Sequence, residues 1–257
     1  MDVMGTSAIV SGGGSGLGEA TARKLAAGGA AVVVFDRSEE SAKRVATGLG
    51  GNACWVAGDA ASEEGVAAAI AAAVDIAPLR VVVACAGGAA RSERTIGRDG
   101  TPHDLELFEN TLRGNLVTAF NTLRLTAAAM SRQEPVDEDG QRGVIVTTAS
   151  IAGYEGQIGQ ISYGAAKAGV IGMTLIAARD LAAVGVRVNC IAPGVVRTPA
   201  WGVAPEEQLA AFGRTVPFPK RFGRPEEFAE LAGSLIANDY LNGQVVRLDG
   251  ALRFSPK

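Results

Sequence analysis

A hydroxyl, a phenol and an ammonium lie close together in the stretch 150–167, SIAGYEGQIGQISYGAAK. Ser150 ends an apolar run that predicts a buried parallel strand. Tyr163 and Lys167 stand four residues apart, which places them on one face of a helix. An ammonium favours the phenolate that takes a proton, and a hydroxyl can fix an alcohol or ketone oxygen. The three residues indicate proton transfer at a carbonyl or secondary alcohol, although a Tyr-x-x-x-Lys spacing alone arises on many helices.

Glycines dominate the turn between the first predicted strand and the first predicted helix, SGGGSGLG at 11–18. Glycine allows close backbone approach, and a helix N-terminus offers free N–H groups and a positive dipole to a pyrophosphate. A strand before, a helix after and an acid at the end of the next strand predict a dinucleotide site. The predicted contacts from this loop are Gly12, Ser15, Gly16, Leu17 and Gly18.

The acid that follows the second predicted strand is Asp36, with Arg37 beside it. A carboxylate at this place accepts hydrogen bonds from the adenosine ribose hydroxyls and repels a 2′-phosphate. An arginine near the same place can accommodate that phosphate. We predict that both residues contact the cofactor and that NAD is preferred to NADP.

Predicted strands and helices alternate along the chain without a linker rich in proline or charge. Continuous Val/Ile strands in such an order are typical of a parallel sheet covered by helices on both faces. We predict one α/β domain, 1–257, with a Rossmann fold: a doubly wound parallel sheet of about seven strands. A long helix is predicted over 105–130. The stretch 195–224 is predicted to be an irregular substrate loop or lid.

Composition excludes several other classes of protein. The net charge is −3 and charged residues of both signs make up 20% of the chain, so no basic surface for nucleic acid or an anionic membrane is expected. The 3 cysteines are far apart and suit buried free thiols in a reducing compartment. The single His103 argues against a His-rich metal site, and we predict a plain surface residue and no metal.

The first residues, MDVMGTSAIV, carry an acid and lead directly into a predicted strand, without the basic region of a secretion signal. No apolar run was expected to reach the roughly 20 residues of a membrane helix. These features predict a soluble, cytoplasmic protein.

Taken together, the motifs resemble those of the short-chain dehydrogenase/reductase family, over nearly the whole chain. SGGGSGLG is similar to the family's TGxxxGxG cofactor loop, with Ser11 in the place of Thr. ACAG at 84–87 corresponds to the family's NNAG, with Ala84 and Cys85 in place of both asparagines. PGVVRT at 193–198 is similar to the loop that closes on the nicotinamide carboxamide.

The resemblance implies roles for particular residues. Ser150, Tyr163 and Lys167 match the catalytic trio in order and spacing, and Asn115 matches an asparagine that supports the lysine through a water. Tyr163 and Lys167 are also expected at the nicotinamide ribose. The other cofactor contacts that the resemblance implies are Asp59, Ala60, Ala86, Gly87, Pro193, Gly194, Val196 and Thr198.

The C-terminal half shows a closer resemblance, to the type 2 3-hydroxyacyl-CoA dehydrogenases, also called 17β-hydroxysteroid dehydrogenase type 10. That group implies NAD-dependent interconversion of 3-hydroxyacyl-CoA and 3-ketoacyl-CoA by a homotetramer. Gln157 and Gln160 are predicted to contact the substrate, with solvation of the loop between Ser150 and Tyr163 as the alternative. Four aromatic residues form either an apolar substrate wall or the stripe of a lid helix: Trp201, Phe212, Phe218 and Phe222. Three arginines either meet CoA phosphates or form a solvated face: Arg91, Arg94 and Arg98.

Other functions fit parts of the same pattern. A 3-oxoacyl-(acyl-carrier-protein) reductase usually prefers NADP(H), which Asp36 disfavours, while a hydroxysteroid or polyol dehydrogenase would share the trio. A nucleotide-sensing regulator without chemistry need not keep Ser150, Tyr163 and Lys167 together. An assay of NADH oxidation with different ketones separates these functions.

Overall fold

The computed structural model describes residues 1–89, 91–202 and 205–256. Within these ranges, one parallel sheet has the strand order β3-β2-β1-β4-β5-β6-β7. The strands are β1 Ser7–Ser11, β2 Ala31–Asp36, β3 Cys54–Ala57, β4 Leu79–Ala84, β5 Gly143–Thr148, β6 Val186–Pro193 and β7 Val245–Leu248. The helices are α1 Gly16–Ala27, α2 Glu39–Leu49, α3 Glu63–Ile76, α4 Leu105–Leu112, α5 Thr118–Met130, α6 Ile161–Asp180, α7 Glu206–Gly213 and α8 Pro225–Ala237. The predicted doubly wound Rossmann fold is confirmed.

The strands are buried on both faces because helices cover each side of the sheet. Val32 and Val34 of β2 belong to one core cluster, which includes Phe228 of α8. Val33 and Phe35 point to the other face and pack with residues of α3. Alternate side chains of one strand therefore fill two separate cores, which is why the sequence shows continuous apolar runs rather than alternation.

The carboxyl ends of the central strands meet where the strand order reverses. Ser11 at the end of β1 pairs with Phe35 of β2 on one side and with Ala84 of β4 on the other. The glycine loop, Asp36 and the ACAG segment leave the sheet at this edge. Ligands of open α/β sheets bind at such a switch point, so the fold brings the predicted cofactor residues together.

Two segments differ from the predicted elements. The helix predicted over 105–130 is interrupted by a π-helical turn, Arg113–Val117, which joins α4 to α5. The stretch 195–224 contains the helix α7 and a 3-10 turn, Pro199–Trp201, so its description as irregular is wrong there. Residues 203 and 204 of this predicted lid, and residues 90 and 257 of the predicted domain, lie outside the described residues.

One helix of the described chain, α6, is long and apolar enough to cross a membrane by length and composition, contrary to the expectation from sequence. Of its most apolar window, 33% is buried within the chain. The buried side of α6 includes Ala166, Lys167 and Val170, and it packs against β6 and the turn after Ser150. A helix that packs on the sheet can have the same length and apolar composition as a membrane-spanning helix.

Candidate active site

A cleft of about 880 Å³ opens at the carboxyl edge of the sheet. Its walls come from the ends of β1, β2, β4, β5 and β6 and from the first turns that follow them. The predicted site residues that line it are Gly12, Ser15, Gly16, Leu17, Gly18, Asp36, Arg37, Asp59, Ala60, Ala86, Gly87, Asn115, Ser150, Tyr163, Lys167, Pro193, Gly194, Val196 and Thr198. Residues from the whole length of the chain thus share one cavity.

The glycine loop has no room for side chains. A Cβ on Gly12, whose φ is +68°, would lie 2.8 Å from the backbone nitrogen of Ala86. On Gly16, a Cβ would lie 3.2 Å from the side chain of Thr198, which reaches the loop from the far wall. Ser15, the N-cap of α1, makes no side-chain capping bond within the described part of the chain. The open helix N-terminus and bare backbone fit a dinucleotide pyrophosphate.

Asp36 is held in a fixed orientation at the end of β2. One carboxylate oxygen accepts the N–H of Gly14 at 2.9 Å, and the other accepts the N–H of Ser38 at 3.0 Å. The carboxylate is half-buried and lines the cleft, while Arg37 beside it is exposed and lines the same cavity. Two backbone donors therefore fix the orientation of the Asp36 carboxylate at the edge of the cleft.

Lys167 is buried beside the phenol of Tyr163. Its side-chain nitrogen donates to the backbone oxygen of Thr148 at 3.1 Å and lies 5.6 Å from the centroid of the Tyr163 ring. Residue Lys167 is only 4% exposed. A buried ammonium needs such a partner to offset its desolvation. The Thr148 carbonyl was not foreseen, because a backbone acceptor leaves no mark in a sequence.

Ser150 caps a short 3-10 turn, Ile151–Gly153, which follows β5. Its hydroxyl oxygen accepts the N–H of Ala152 at 3.1 Å. A hydroxyl that accepts one bond still carries its own hydrogen. The O–H of Ser150 can therefore donate to an oxygen bound in the cleft.

Asn115 sits in the π-helical turn and is 4% exposed. Its side-chain nitrogen donates to the backbone oxygen of Thr111 at 3.1 Å, and its oxygen accepts the N–H of Gly88 at 3.1 Å. A Cβ on Gly87 would lie 2.8 Å from that oxygen and 3.5 Å from the Lys167 nitrogen. Asn115 thus ties the helix to the loop after β4 and lies next to the lysine. Thr111 and Gly88 were not foreseen as its partners.

Cys85, which stands in place of a family asparagine, lines the cleft between β4 and β5. The Thr148 hydroxyl lies 3.7 Å from its sulfur. Burial raises the pKa of the Cys85 thiol to about 11. The thiol is therefore neutral at physiological pH and is no nucleophile.

The two glutamines predicted to contact substrate are absent from the described lining of the cleft. The side-chain oxygen of Gln160 accepts the backbone N–H of Gln157 at 3.1 Å, and the Gln157 amide donates to the oxygen of Ser255 at 3.4 Å. Their side chains hold the loop and the C-terminal segment in this conformation. A role in substrate binding stays a prediction.

The aromatic residues after β6 pack mainly against one another. The Trp201 ring lies 5.4 Å from Phe212 and 4.9 Å from Phe222, between ring centroids. Trp201 alone of the four predicted aromatics lines the cleft, as far as the described residues show, and Phe218 is 82% exposed. Only Phe212 of the four lies on the helix α7, so these residues do not form the stripe of one lid helix, and Trp201 contributes to the wall of the cleft.

The loop over 91–104 holds the three arginines and the histidine noted in the sequence. Arg91, Arg94 and Arg98 are exposed, and Arg91 pairs with Glu93. The prediction for His103 is wrong: its side chain is 10% exposed, with Nδ1 3.7 Å from the Glu93 carboxylate. The ring packs edge-on against Phe108, and neither ring nitrogen has a hydrogen-bond partner among the described residues.

Comparison with known proteins decides the family. A family model described as short chain dehydrogenase matches residues 6–209. The chain belongs to the short-chain dehydrogenase family. As a member, it is an oxidoreductase that acts on a CH–OH group of a small-molecule substrate and uses a nicotinamide cofactor. The glycine cradle and Asp36 fit such a cofactor.

Several relatives within the short-chain dehydrogenase family match almost end to end. The 3-hydroxyacyl-CoA dehydrogenase type-2 of Homo sapiens is 45% identical, over 99% of this chain and 97% of its own. The enzyme of the same name from Drosophila melanogaster is 44% identical, over 96% and 97%. A crystal structure of 3-hydroxyacyl-CoA dehydrogenase type-2 from Mycobacterium avium is 52% identical, with a TM-score of 0.96 and 98% of both chains covered. The resemblance inferred from the C-terminal segments is confirmed.

Proposed function

We propose that this short-chain dehydrogenase interconverts 3-hydroxyacyl-CoA and 3-ketoacyl-CoA with NAD(H). Near full-length relatives at 45% and 44% identity carry that enzyme's name, as does the structural neighbour at 52%. The observation that carries the reaction type is the buried Lys167 nitrogen 5.6 Å from the Tyr163 ring centroid, in the cleft that Ser150 also lines.

Each residue of the proposed centre has one task. A bound nicotinamide supplies the hydride acceptor or donor. Tyr163 takes the hydroxyl proton during oxidation and returns it during reduction. Lys167 favours the phenolate and binds the nicotinamide ribose hydroxyls. Ser150 donates to the substrate oxygen and fixes it for transfer of the proton and hydride.

Asn115 is proposed to act one step away from the reacting atoms. Its two hydrogen bonds fix the backbone of Gly88 and the π-helical turn beside Lys167. A water held by this turn would link the lysine to solvent, as the family resemblance implies.

The cofactor contacts follow from the same cleft. The Asp36 carboxylate binds the adenosine ribose and disfavours a 2′-phosphate, which supports NAD over NADP. Asp59 and Ala60, which line the same cavity, would hold the adenine. At the nicotinamide end, Thr198 and the backbone of Gly194 and Val196 serve the carboxamide.

Titration with each reduced cofactor tests this preference. We expect NADH to bind at least about tenfold more tightly than NADPH, because the Asp36 carboxylate accepts hydrogen bonds from the ribose hydroxyls of NADH and repels the 2′-phosphate of NADPH. Asp36→Ala should reduce the difference in affinity between NADH and NADPH, while Asp59→Ala should weaken the binding of both cofactors to the same extent. Equal affinities of the unaltered protein for NADH and NADPH would contradict the preference.

An assay of NADH oxidation tests the substrate. We expect acetoacetyl-CoA to be reduced with a higher kcat/KM than a 3-ketoacyl carrier-protein thioester or a ketosteroid. Preference for the carrier-protein thioester or the steroid would assign the chain to the corresponding enzyme class. Absence of NADH oxidation with every ketone would favour a regulator without chemistry.

We also propose that the enzyme is a homotetramer. An apolar groove of about 400 Å³ lies between α5 and α6 on the outer surface. Phe120 and Ile176, which line it, are 51% and 61% exposed. A contiguous apolar surface of this kind on a soluble enzyme supports contact with a second copy.

A further inference from the structure

The guanidinium of Arg247, in β7, contacts several other residues. It forms a bidentate ion pair with the carboxylate of Glu155, and its Nε donates to Asp249 at 2.6 Å. It also donates to the backbone oxygen of Leu252 at 3.1 Å and lies 5.0 Å from the centre of the Tyr154 ring. These five residues are the Arg247 cluster.

The cluster joins two walls of the active-site cleft. Glu155 and Tyr154 belong to the loop that starts at Ser150 and leads into α6. Asp249 packs against Gly194, on which a Cβ would lie 2.8 Å from the Asp249 Cβ. Ser150 and Gly194 both line the cleft. One side chain therefore sets the substrate-side loop against the segment that meets the nicotinamide.

The geometry favours a firm connection rather than a loose surface pair. The Arg247 side chain is 21% exposed and that of Asp249 is 7% exposed. Two-pronged contacts between a guanidinium and a carboxylate are among the stronger charge-assisted hydrogen bonds, and a lysine cannot reproduce their planar geometry. Hydrogen bonding to Glu155 raises the pKa of Arg247, so the residue stays charged at every working pH.

Other contacts bring the C-terminal segment onto the same loop. The N–H of Ile158 donates to the oxygen of Pro256 at 3.0 Å. Ile151 and Leu252 are both buried in one small apolar cluster. Leu252, whose carbonyl Arg247 binds, thus packs under the turn that Ser150 caps.

We propose that Arg247 is a positioning residue for Ser150: by binding Glu155 and Asp249 it holds the Ser150 hydroxyl at a fixed place relative to the nicotinamide end of the cleft. The inference rests on the proposed function for the role of Ser150. Loss of Arg247 should leave the fold and the adenosine end of the site intact and misplace the substrate oxygen.

The test compares Arg247→Met with Arg253→Met. Arg253 is a matched control because it also pairs with Asp249, at 2.9 Å, and donates to the oxygen of Leu252, but its side chain is 58% exposed. We expect Arg247→Met to lower kcat for acetoacetyl-CoA by about tenfold or more, with the Kd for NADH changed less than about twofold. Arg247→Lys should recover only part of the rate, and Arg253→Met should match the unaltered protein.

Amide hydrogen exchange of the full-length protein gives a second readout that needs no substrate. The N–H of Ala152, which donates to Ser150 Oγ, and the amides of the loop 154–158 should exchange faster in Arg247→Met and at the normal rate in Arg253→Met. Glu155→Gln should also speed exchange of these amides, though by less. It replaces Arg247→Met in the experiment if that variant fails to fold.

Two results would overturn the inference. One is an Arg247→Met variant that is less stable but keeps a kcat within about twofold of the unaltered protein, since Arg247 would then have only a structural role. The other is unchanged exchange of the loop amides in that variant. If the unaltered protein does not reduce acetoacetyl-CoA, the proposed function fails, and the exchange experiment still decides whether Arg247 fixes the Ser150 loop.

Discussion

Cys85 shows how burial at the level of one residue separates a structural thiol from a reactive one. It lines the cofactor cleft, yet burial raises the pKa of its thiol to about 11. At pH 8 the thiolate that reacts with alkylating reagents is scarce. We predict that iodoacetamide leaves Cys85 unmodified in the native protein and modifies it in urea, as followed by peptide mass spectrometry. Rapid native modification would contradict this assignment.

At the same scale, the sequence predicts the side chains of the site better than the backbone groups to which they hydrogen-bond. Ser150, Tyr163 and Lys167 could be named because the hydroxyl, phenol and ammonium have a defined spacing. The Thr148 carbonyl that holds Lys167 and the Gly88 N–H that holds Asn115 could not, because every residue carries these groups. Gln157 and Gln160 were chosen for lying between Ser150 and Tyr163, but sequence position does not fix the direction of a loop side chain.

At the scale of elements, the π-helical turn Arg113–Val117 carries one buried asparagine, Asn115, whose side chain bonds two backbone groups. Asn115→Ala leaves the Gly88 N–H and the Thr111 carbonyl without that amide, which we expect to lower the free energy of unfolding by about 1–3 kcal/mol. It should also lower kcat, because the Asn115 oxygen binds the Gly88 N–H and so fixes the loop at Gly87, which lies beside both Asn115 and Lys167. Urea denaturation and steady-state kinetics measure the two effects.

Asn110→Ala is the control for the effect on stability alone, since Asn110 is exposed on α4 but also lines the cleft. It should change stability by less than about 0.5 kcal/mol. Equal effects of the two substitutions would show that the turn does not depend on Asn115.

Strands and helices could be predicted where burial determines the spacing of apolar residues along the sequence. The strand runs of β1, β2 and β4 are continuous because both faces of the sheet are covered, and such runs were enough to predict a parallel sheet of about seven strands. The π-helical turn was missed because one extra residue in a turn barely disturbs a helical pattern over 105–130. A helix in 195–224 was only one of two alternatives, and its bounds were not predicted, because flanking Pro and Gly residues made the segment look irregular; Pro205 and the two glutamates before Leu209 mark where α7 begins.

At the scale of the whole molecule, the uncovered apolar face of α5 and α6 bears on assembly. We predict that Ile176→Asp reduces the size of the particle measured by light scattering, because a charge on the 61% exposed Ile176 opposes burial against a second copy. Val136→Asp is the control, since Val136 is 47% exposed on the loop before β5. A monomeric unaltered protein would contradict the homotetramer.

The topology of the whole sheet explains why the sequence could predict that the site residues share one cleft. In a parallel sheet every strand ends at the same edge, so residues after β1, β2, β4, β5 and β6 must meet there. Which outer face remains uncovered, and how the C-terminal segment reaches Arg247 and Glu155, depend on contacts between distant parts of the chain. Composition and periodicity do not report such contacts.

Tyr163→Phe removes only the phenolic hydroxyl that we propose exchanges the proton with the support of Lys167 and Ser150. We expect acetoacetyl-CoA reduction to fall by about 10³-fold or more. The Kd for NADH, measured by fluorescence titration, should stay within about twofold of the unaltered value. A Tyr163→Phe variant that turns over at nearly the unaltered rate would contradict this role of Tyr163.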